Sequence, residues 1–303
     1  MRKDLRKTSR RNGDVDLHIH TSASDGSLTP RQNVLLAIKK SIKVIGIADH
    51  DSISGIQEAL DTAHSYNSKI IVVPAVEISC GYCSEELHIV GYFVDHNNPH
   101  IKRFLLNRQK NRFKRARKLL SAVNKQLILE GKSPIQFHEV KKRAKGSIGK
   151  PHIAAELMCT GHIKDMNEAF SKYLNYNAAG YKRISVSKAI NIIKKSGGIP
   201  AIAHPHISFR NIRPNAKEQF QILKQLQKKG IECVEVFTTA HTRKQEKIYL
   251  GFAKRLGMLV TGGSDSHGPG TSCDYLGKFG VKMKYYDLLL KRKMEIDSKK
   301  CID

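Results

Sequence analysis

Histidine and acidic side chains recur where apolar, strand-like runs of this sequence end. They are His18, His20, His50, Glu77, His204, Asp265 and His267, and a further histidine, His88, begins such a run. A single histidine at a strand end is usually a capping or packing residue. A series of them at the ends of successive strands instead indicates a metal centre with imidazole and carboxylate ligands.

Seven apolar runs predict strands, and most are followed by a helical pattern. The predicted strands cover 14–20, 42–48, 69–78, 87–94, 198–204, 231–238 and 257–262. Because the runs are short and almost continuously apolar, they indicate a parallel sheet buried on both faces. Strand alternating with helix favours a β/α barrel, in which functional side chains lie at the carboxyl ends of the strands.

Capping residues mark the helices between these strands. Thr29 and Pro30 predict an N-cap followed by the first residue of a helix, and Ser52 or Ser54 is expected to cap the second helix. Three later helices each end at a glycine, which readily adopts the left-handed cap conformation. Those helices are predicted over 185–196, 216–229 and 243–256.

A helical stretch breaks the alternation between the fourth and fifth strands, and we interpret it as an insertion. The predicted divisions are a basic leader (1–13), a barrel (14–97 and 185–285), the helical insertion (98–184) and a C-terminal tail (286–303).

The formal net charge of +26 is concentrated in this insertion. Between Ile101 and Lys150 there are sixteen Lys and Arg against two Glu, a local excess of 14 positive charges. Such a concentration is typical of proteins that bind nucleic acid or a multiply phosphorylated ligand. A solvated helix face is the alternative interpretation. The basic leader lacks the apolar segment of a secretory signal and is either a flexible leader or a weak nucleic-acid contact.

The cysteines and the hydropathy indicate a cytoplasmic protein without a membrane partner. Only Cys80 and Cys83 have the spacing of a metal or redox pair, and no second pair matches them, so we expect free thiols in a reducing compartment. No stretch approaches eighteen uninterrupted apolar residues, which predicts no transmembrane helix.

The segments around the candidate ligands resemble those of the PHP family (polymerase and histidinol phosphatase) of phosphoesterases. The matching segments are DLHIHTSASDG at 16–26, ADHD at 48–51, PAVEIS at 74–79, HIVGY at 88–92, AHP at 203–205 and GSDSHG at 263–268. They are collinear with the family pattern. Asp25, where histidinol-phosphate phosphatases tend to have histidine, resembles the branch that acts on nucleotides, and that branch also carries a helical insertion.

The resemblance implies an α/β fold, a distorted seven-stranded barrel, with three divalent metal ions. It assigns His18, His20, Glu77 and Asp265 to the first ion, Asp25, His50 and His267 to the second, and Glu77 with His88 and His204 to the third. Asp25, His50, Glu77 and Asp265 are expected to act in catalysis. Ligands of this kind suit Mn²⁺, Fe²⁺ or Zn²⁺ better than Mg²⁺ or Ca²⁺.

The implied reaction is hydrolysis of a phosphate ester by water that the metal ions activate. The nucleotide branch removes the 3′-phosphate of nucleoside 3′,5′-bisphosphates or degrades short RNA from its 5′ end. Two alternatives stay open: a small-metabolite phosphatase of the histidinol-phosphate type, and a non-catalytic nucleic-acid-binding module with structural metals.

Further residues near the predicted barrel mouth are candidate substrate contacts: Lys150, His152, Arg183, His206 and His241. The segment GKPH at 149–152 resembles the family's Gly-Arg-Pro-His segment, whose basic residue and histidine face the substrate phosphate. Lysine keeps that charge but lacks the bidentate fork of arginine. His206 and His241 are equally well explained as ordinary loop residues. Asp49 and Asp51 are expected either to orient ligand histidines or, for Asp51, to cap a helix.

Overall fold

The computed structural model describes residues 13–300 apart from 67–68, 84, 145–146, 176–182, 211, 213–214 and 272. Most of the predicted basic leader and Cys301 lie outside the described residues. Seven strands form one sheet in chain order. They are β1 (Val15–Ile19), β2 (Val44–Ile47), β3 (Ile71–Tyr82), β4 (Glu85–Tyr92), β5 (Ile199–Ile202), β6 (Cys233–Thr238) and β7 (Leu259–Gly263).

The two outer strands of this sheet approach each other, so the sheet is a nearly closed barrel. A bridge joins Ile19 at the end of β1 to Ser266 just beyond β7. A β-carbon on Gly263 would lie 2.4 Å from the backbone nitrogen of His18, so only glycine permits this approach. The predicted seven-stranded α/β barrel is confirmed.

One strand runs against the predicted direction. β4 is antiparallel to both β3 and β5, whereas the remaining neighbours are parallel. The expectation of a parallel sheet is therefore wrong for β4. Only two residues separate β3 from β4, which is enough for a hairpin but not for a crossover between parallel strands. The reversal brings the first half of β4, with His88, to the end of the barrel where the parallel strands finish.

Helices surround the barrel and fill the insertion. They are α1 (Pro30–Lys39), α2 (Ile56–Ser65), α3 (Pro99–Leu129), α4 (Phe137–Arg143), α5 (Lys150–Cys159), α6 (Met166–Glu168), α7 (Val186–Lys195), α8 (Pro205–Arg210), α9 (Ala216–Lys228), α10 (Arg243–Leu256) and α11 (Met283–Lys300). A π-helical turn, Ala169–Tyr173, follows α6. Among the described helices, none combines the length and the apolar character needed to cross a lipid bilayer.

The predicted caps are mostly confirmed. Thr29 caps α1, and Gln32 closes the reciprocal capping box. Glycines 197, 230 and 257, beyond α7, α9 and α10, all have positive φ. The predicted serine cap of α2 is wrong: Gly55 is the N-cap residue and makes no side-chain bond, while the hydroxyls of Ser52 and Ser54 lie 3.0 Å apart.

Three apolar clusters stabilise the molecule. One surrounds the barrel, and a second fills its interior, where Tyr286 and Leu289 of α11 are buried. The predicted C-terminal tail after residue 285 is therefore the continuation of a helix that packs into the barrel. The third cluster lies inside the insertion and includes Leu120, Val140 and Leu157. The predicted free thiols are confirmed for the five described cysteines.

Candidate metal centre

Glu77 is the centre of the candidate site, because histidine nitrogens surround both of its carboxylate oxygens. Those within 3.4 Å belong to His18, His20 and His50 at Oε2 and to His88 and His204 at Oε1. Glu77 lies in the middle of β3 and is fully buried. A buried carboxylate needs neighbouring positive charge, which bound cations or protonated histidines around it would supply.

A second group of carboxylates lies on the other side of His20. The Nε2 atom of His20 is 3.0 Å from Oδ1 of Asp265, and Nε2 of His267 is 3.5 Å from Oδ1 of Asp25. His50 connects the two sides, since its Nε2 atom is 3.9 Å from Oδ2 of Asp25. Side chains just beyond the ends of β1, β2 and β7 thus meet around one centre.

Three groups of side chains have metal-ligand atoms within 4.8 Å of one another. The groups are His18, His20 and Asp265; His20, Asp25, His50 and His267; and His50, Glu77 and His88. The structure therefore brings together the nine residues that the sequence suggested as ligands, with His204 joining through its 3.1 Å approach to Glu77. In addition, His20 and His50 each belong to two of these groups, whereas the family resemblance assigned each of them to a single ion.

Buried atoms without hydrogen bonds test whether cations fit this centre. Among the described residues, six buried ligand atoms make no hydrogen bond, although some of them lie within ion-pair distance of one another. They are Nδ1 of His20, His50, His88 and His204, Oδ1 of Asp25 and Oε2 of Glu77. Leaving a buried polar atom without a partner is costly, and nearly all such atoms in folded proteins are satisfied. Imidazole nitrogens and carboxylate oxygens are ligands for divalent cations, so the residues fit a metal centre.

The electrostatics of the centre keep its carboxylates ionised. Burial raises the pKa of Glu77, but the neighbouring His50, His88 and His18 outweigh burial and hold that pKa well below its usual range. Burial lowers the pKa of His88, yet the Glu77 charge raises it to about 10. For His20, burial and the nearby His267 lower the pKa to about 4.

Three residues of the site have backbone conformations in the left-handed region. They are Asp51, His204 and Asp265, with φ of 47°, 29° and 52°. Non-glycine residues rarely adopt this region, and such strained positions cluster at active and ligand-binding sites. Two of the three are candidate metal ligands, at the ends of β5 and β7.

Glu235 is a buried carboxylate that the sequence reasoning missed. It lies on β6, where Oε1 is 3.0 Å from Nδ1 of His18 and Oε2 accepts a hydrogen bond from the backbone nitrogen of His204. With Nδ1 of His18 donating to Glu235, the other ring nitrogen is free to bind a cation. The sequence signal that could have identified Glu235 is its position as the single acidic residue within the largely apolar strand β6.

Asp49 and Asp51 have other roles than the expected ones. Asp49 accepts hydrogen bonds from the backbone and hydroxyl of Thr21 and from the hydroxyl of Ser24, so it holds the loop that carries Asp25. Asp51 is fully buried and binds the guanidinium groups of Arg108 and Arg112 at 3.1 and 2.7 Å. This carboxylate therefore anchors α3 of the insertion to the barrel.

A cleft of about 430 Å³ lies between the barrel mouth and the insertion. The candidate ligands on its surface are Asp25, His50, His88 and His204, and four cationic side chains, Arg112, Arg115, Lys150 and Arg183, also border it. Glu86 lies among these cations, with Arg183 Nε 3.2 Å from its Oε2. Burial and the neighbouring Arg115 lower the pKa of Lys150, whose Nζ donates to the carbonyl of Leu174.

The histidines expected to contact substrate differ in their surroundings. His152 is buried near the cleft and accepts a hydrogen bond from the backbone nitrogen of Gly149, and burial lowers its pKa. His206 is half-buried. Both ring nitrogens of His241 bond backbone groups, those of Val236 and His206. Because neither nitrogen is left for a ligand, we do not include His241 among the proposed substrate contacts.

A barrel whose mouth gathers histidines and carboxylates around a cationic cleft defines a metal-dependent hydrolase. Comparison with protein families identifies which family of metal-dependent hydrolases this is. The model of the PHP domain matches residues 16–242, and the chain belongs to this family.

Its relatives act on phosphoester bonds. The chain is 29% identical over 259 residues to a 5′-3′ exoribonuclease of Haemophilus influenzae, covering 84% of this chain and 90% of that protein. It is 28% identical over 265 residues to a 3′,5′-nucleoside bisphosphate phosphatase of Chromobacterium violaceum, covering 85% and 88%.

Two solved structures share the fold over most of the chain. A protein from Bifidobacterium adolescentis described as a metal-dependent phosphoesterase superposes with a TM-score of 0.81 at 28% identity, over 94% of this chain and 98% of that one. A Chromobacterium violaceum protein described as an amidohydrolase, with bound sulfate and no metal, gives 0.75 at 26% identity, over 89% and 90%. The chain is therefore a PHP-family, metal-dependent phosphoesterase.

Proposed function

We propose that this enzyme hydrolyses nucleotide phosphates, removing the 3′-phosphate of nucleoside 3′,5′-bisphosphates or shortening RNA from its 5′ end. The observation that carries the proposal is the cleft, in which candidate metal ligands and four cationic side chains border one volume. Such a cleft fits a substrate with two phosphate groups, one near the metal centre and the other near the cations. The named relatives act on substrates of this kind.

In the proposed site, nine side chains hold three divalent ions, of Mn²⁺, Fe²⁺ or Zn²⁺. The first ion would be held by His18, His20, Glu77 and Asp265, the second by Asp25, His50 and His267, and the third by Glu77, His88 and His204. Ions of this type lower the pKa of bound water and neutralise phosphate oxygens. Each oxygen of Glu77 has its own set of histidines, so this carboxylate would contribute to both the first and the third site.

The cationic side chains bind the second phosphate in this proposal. Arg112 is already oriented by its contact with Asp51, and Arg115 lies 3.6 Å from Glu86. Their planar guanidinium groups can form paired hydrogen bonds with phosphate oxygens, and Lys150 adds a point charge. Because lysine at position 150 lacks the paired geometry of the family's arginine, Arg112 and Arg115 would supply it. Arg112 would use the N–H groups that do not already bond Asp51 and Ser79. Arg183 and the neutral ring of His152 complete the proposed contacts.

A small monophosphate of the histidinol-phosphate type would use only the metal side of the cleft. We therefore expect kcat/KM for adenosine 3′,5′-bisphosphate or a 5′-phosphorylated RNA 5-mer to exceed that for histidinol phosphate by at least about tenfold, since charge-assisted contacts contribute about 1.5–3 kcal/mol each. The test is turnover of the three substrates by metal-loaded enzyme. Preference for histidinol phosphate would reject the nucleotide assignment.

A second experiment distinguishes the proposed hydrolase from a non-catalytic, nucleic-acid-binding protein. Asp265→Asn should abolish turnover, while RNA binding by the four cationic side chains of the cleft persists. The control, Asp274→Asn, changes a partly exposed residue paired with Lys278 and should behave as wild type. Binding is measured by fluorescence anisotropy of labelled RNA. Unchanged hydrolysis in the Asp265 variant would reject the ligand assignment, and RNA binding without any hydrolysis in the wild type would support the binding module instead.

A further inference from the structure

Two exposed apolar side chains face the same cleft as the charged groups. Phe170 is 40% exposed and Ile207 is 41% exposed, and both border the cleft. Exposed apolar side chains are common on protein surfaces, but an aromatic ring beside metal ligands and cations needs a reason. Recognition of phosphate groups does not require an aromatic ring.

The chain segment that carries Phe170 is held firmly. It is the π-helical turn Ala169–Tyr173, which ends with a hydrogen bond from the backbone of Leu174 to the carbonyl of Ala169. Tyr173 is buried, and its hydroxyl donates to Glu130 at 2.6 Å. Isolated π-helical turns occur frequently at functional sites. The exposure of Phe170 is therefore set by a bonded turn rather than by a loose loop.

The same turn is connected to the phosphate side of the cleft. Nζ of Lys150 donates to the carbonyl of Leu174, the residue that follows the turn. On the other side, Ile207 belongs to α8, which begins directly after the candidate ligand His204. A ligand with one phosphate at the metal centre and another at the cations would therefore lie close to both Phe170 of the turn and Ile207 of α8.

We propose that the ring of Phe170 is a stacking platform for the nucleobase of the substrate, with Ile207 as a second apolar face. This inference rests on the proposed nucleotide substrate and adds the group that recognises the base. Every nucleobase has a π-face, so stacking on an aromatic ring tolerates all four bases. No base-specific hydrogen bonds are needed, and the enzyme would accept nucleotides of different sequence.

Binding of two ligands that differ only in the base tests the platform. The probes are adenosine 5′-monophosphate and 1-O-methylribose 5-phosphate, titrated calorimetrically into metal-loaded enzyme. Stacking of one base corresponds to a preference of about 5- to 150-fold for the nucleotide. We expect Phe170→Ala to abolish this preference while affinity for the ribose phosphate stays unchanged, and Phe170→Tyr to retain it.

A matched control is Leu129→Ala, which removes an 88% exposed apolar side chain at the end of α3 and should keep the wild-type preference. Equal wild-type affinity for the two ligands would overturn the platform, as would a Phe170→Ala variant that keeps the preference. Hydrolysis of adenosine 3′,5′-bisphosphate by the wild type is measured in parallel. Its absence alongside an intact base preference would reject the proposed activity and leave the platform standing.

Discussion

Replacing Glu235 tests whether a buried carboxylate outside the ligand set controls the metal centre. Its two oxygens each accept one hydrogen bond, from Nδ1 of His18 at 3.0 Å and from the backbone of His204 at 2.8 Å. Glu235→Gln keeps the size of the side chain but has only one acceptor oxygen. The amide NH₂ group must then face either a backbone donor or the ring of His18.

The expected size of the effect follows from that mismatch. If the NH₂ group faces the backbone of His204, a buried donor loses its partner, at a cost of about 1–3 kcal/mol. If it faces His18, it favours the tautomer whose proton sits on Nε2, the nitrogen that points to Glu77. Either way the ligand geometry is weakened, and loss of such a supporting partner lowers metal affinity by about 10- to 100-fold.

The assay is competition for metal between the protein and a chelator, read as metal content by mass spectrometry. The control is Glu232→Gln, which removes a carboxylate three residues earlier that binds Lys194 and Arg292, both at 2.8 Å. We expect that control to leave metal affinity unchanged. Wild-type metal affinity in Glu235→Gln, or an equal loss in both variants, would show that Glu235 does not position the ligands.

Three further perturbations test the docking of the insertion, the pH dependence of stability and the charge of the cleft. Asp51→Asn should lower the free energy of unfolding by about 3–5 kcal/mol in urea melts, because it leaves Arg108 and Arg112 buried without their carboxylate. Glu139→Gln, at an exposed pair with Lys142, should cost less than about 1 kcal/mol, and equal losses would contradict this reasoning. Burial lowers the pKa of His241 from 6.5 to about 3, so the folded state binds fewer protons than the unfolded state between those values. Stability should fall as the pH drops below 6.5, by about 1.4 kcal/mol per pH unit from this residue. His241→Gln should flatten that part of the curve, and parallel curves for the two proteins would refute the assignment. Finally, affinity for an RNA 5-mer should fall steeply with added salt, with a logarithmic slope of about 0.7 per phosphate contact, and a flat response would exclude a polyanion role for the insertion.

Much of the site was predictable because its signals are local. An apolar run of a few residues identifies a buried strand, and the residue after it occupies the strand's end whatever the rest of the chain does. His18, His50 and Asp265 could therefore be placed at one end of a barrel before their neighbours were known. Their side chains also limit the chemistry, since imidazole and carboxylate bind the same class of cation.

The remaining features depend on contacts between distant parts of the chain. Glu235 meets His18 across 217 positions, and Asp51 meets Arg108 across 57, so their partners cannot be read from a local pattern. The reversed direction of β4 was also unexpected, although the short gap before it indicates a hairpin. The exposure of Phe170 depends on the turn Ala169–Tyr173, whose last residue bonds Glu130 across 43 positions of the chain.

The sequence alone determined which atoms are available to bind cations and at which end of the strands they lie, because side-chain type and strand ends are local properties. Tertiary structure decided which nitrogen of each histidine faces the centre, which acids support the ligands, and which surfaces enclose the cleft. Those properties arise only when strands and helices that are far apart in the chain pack against one another.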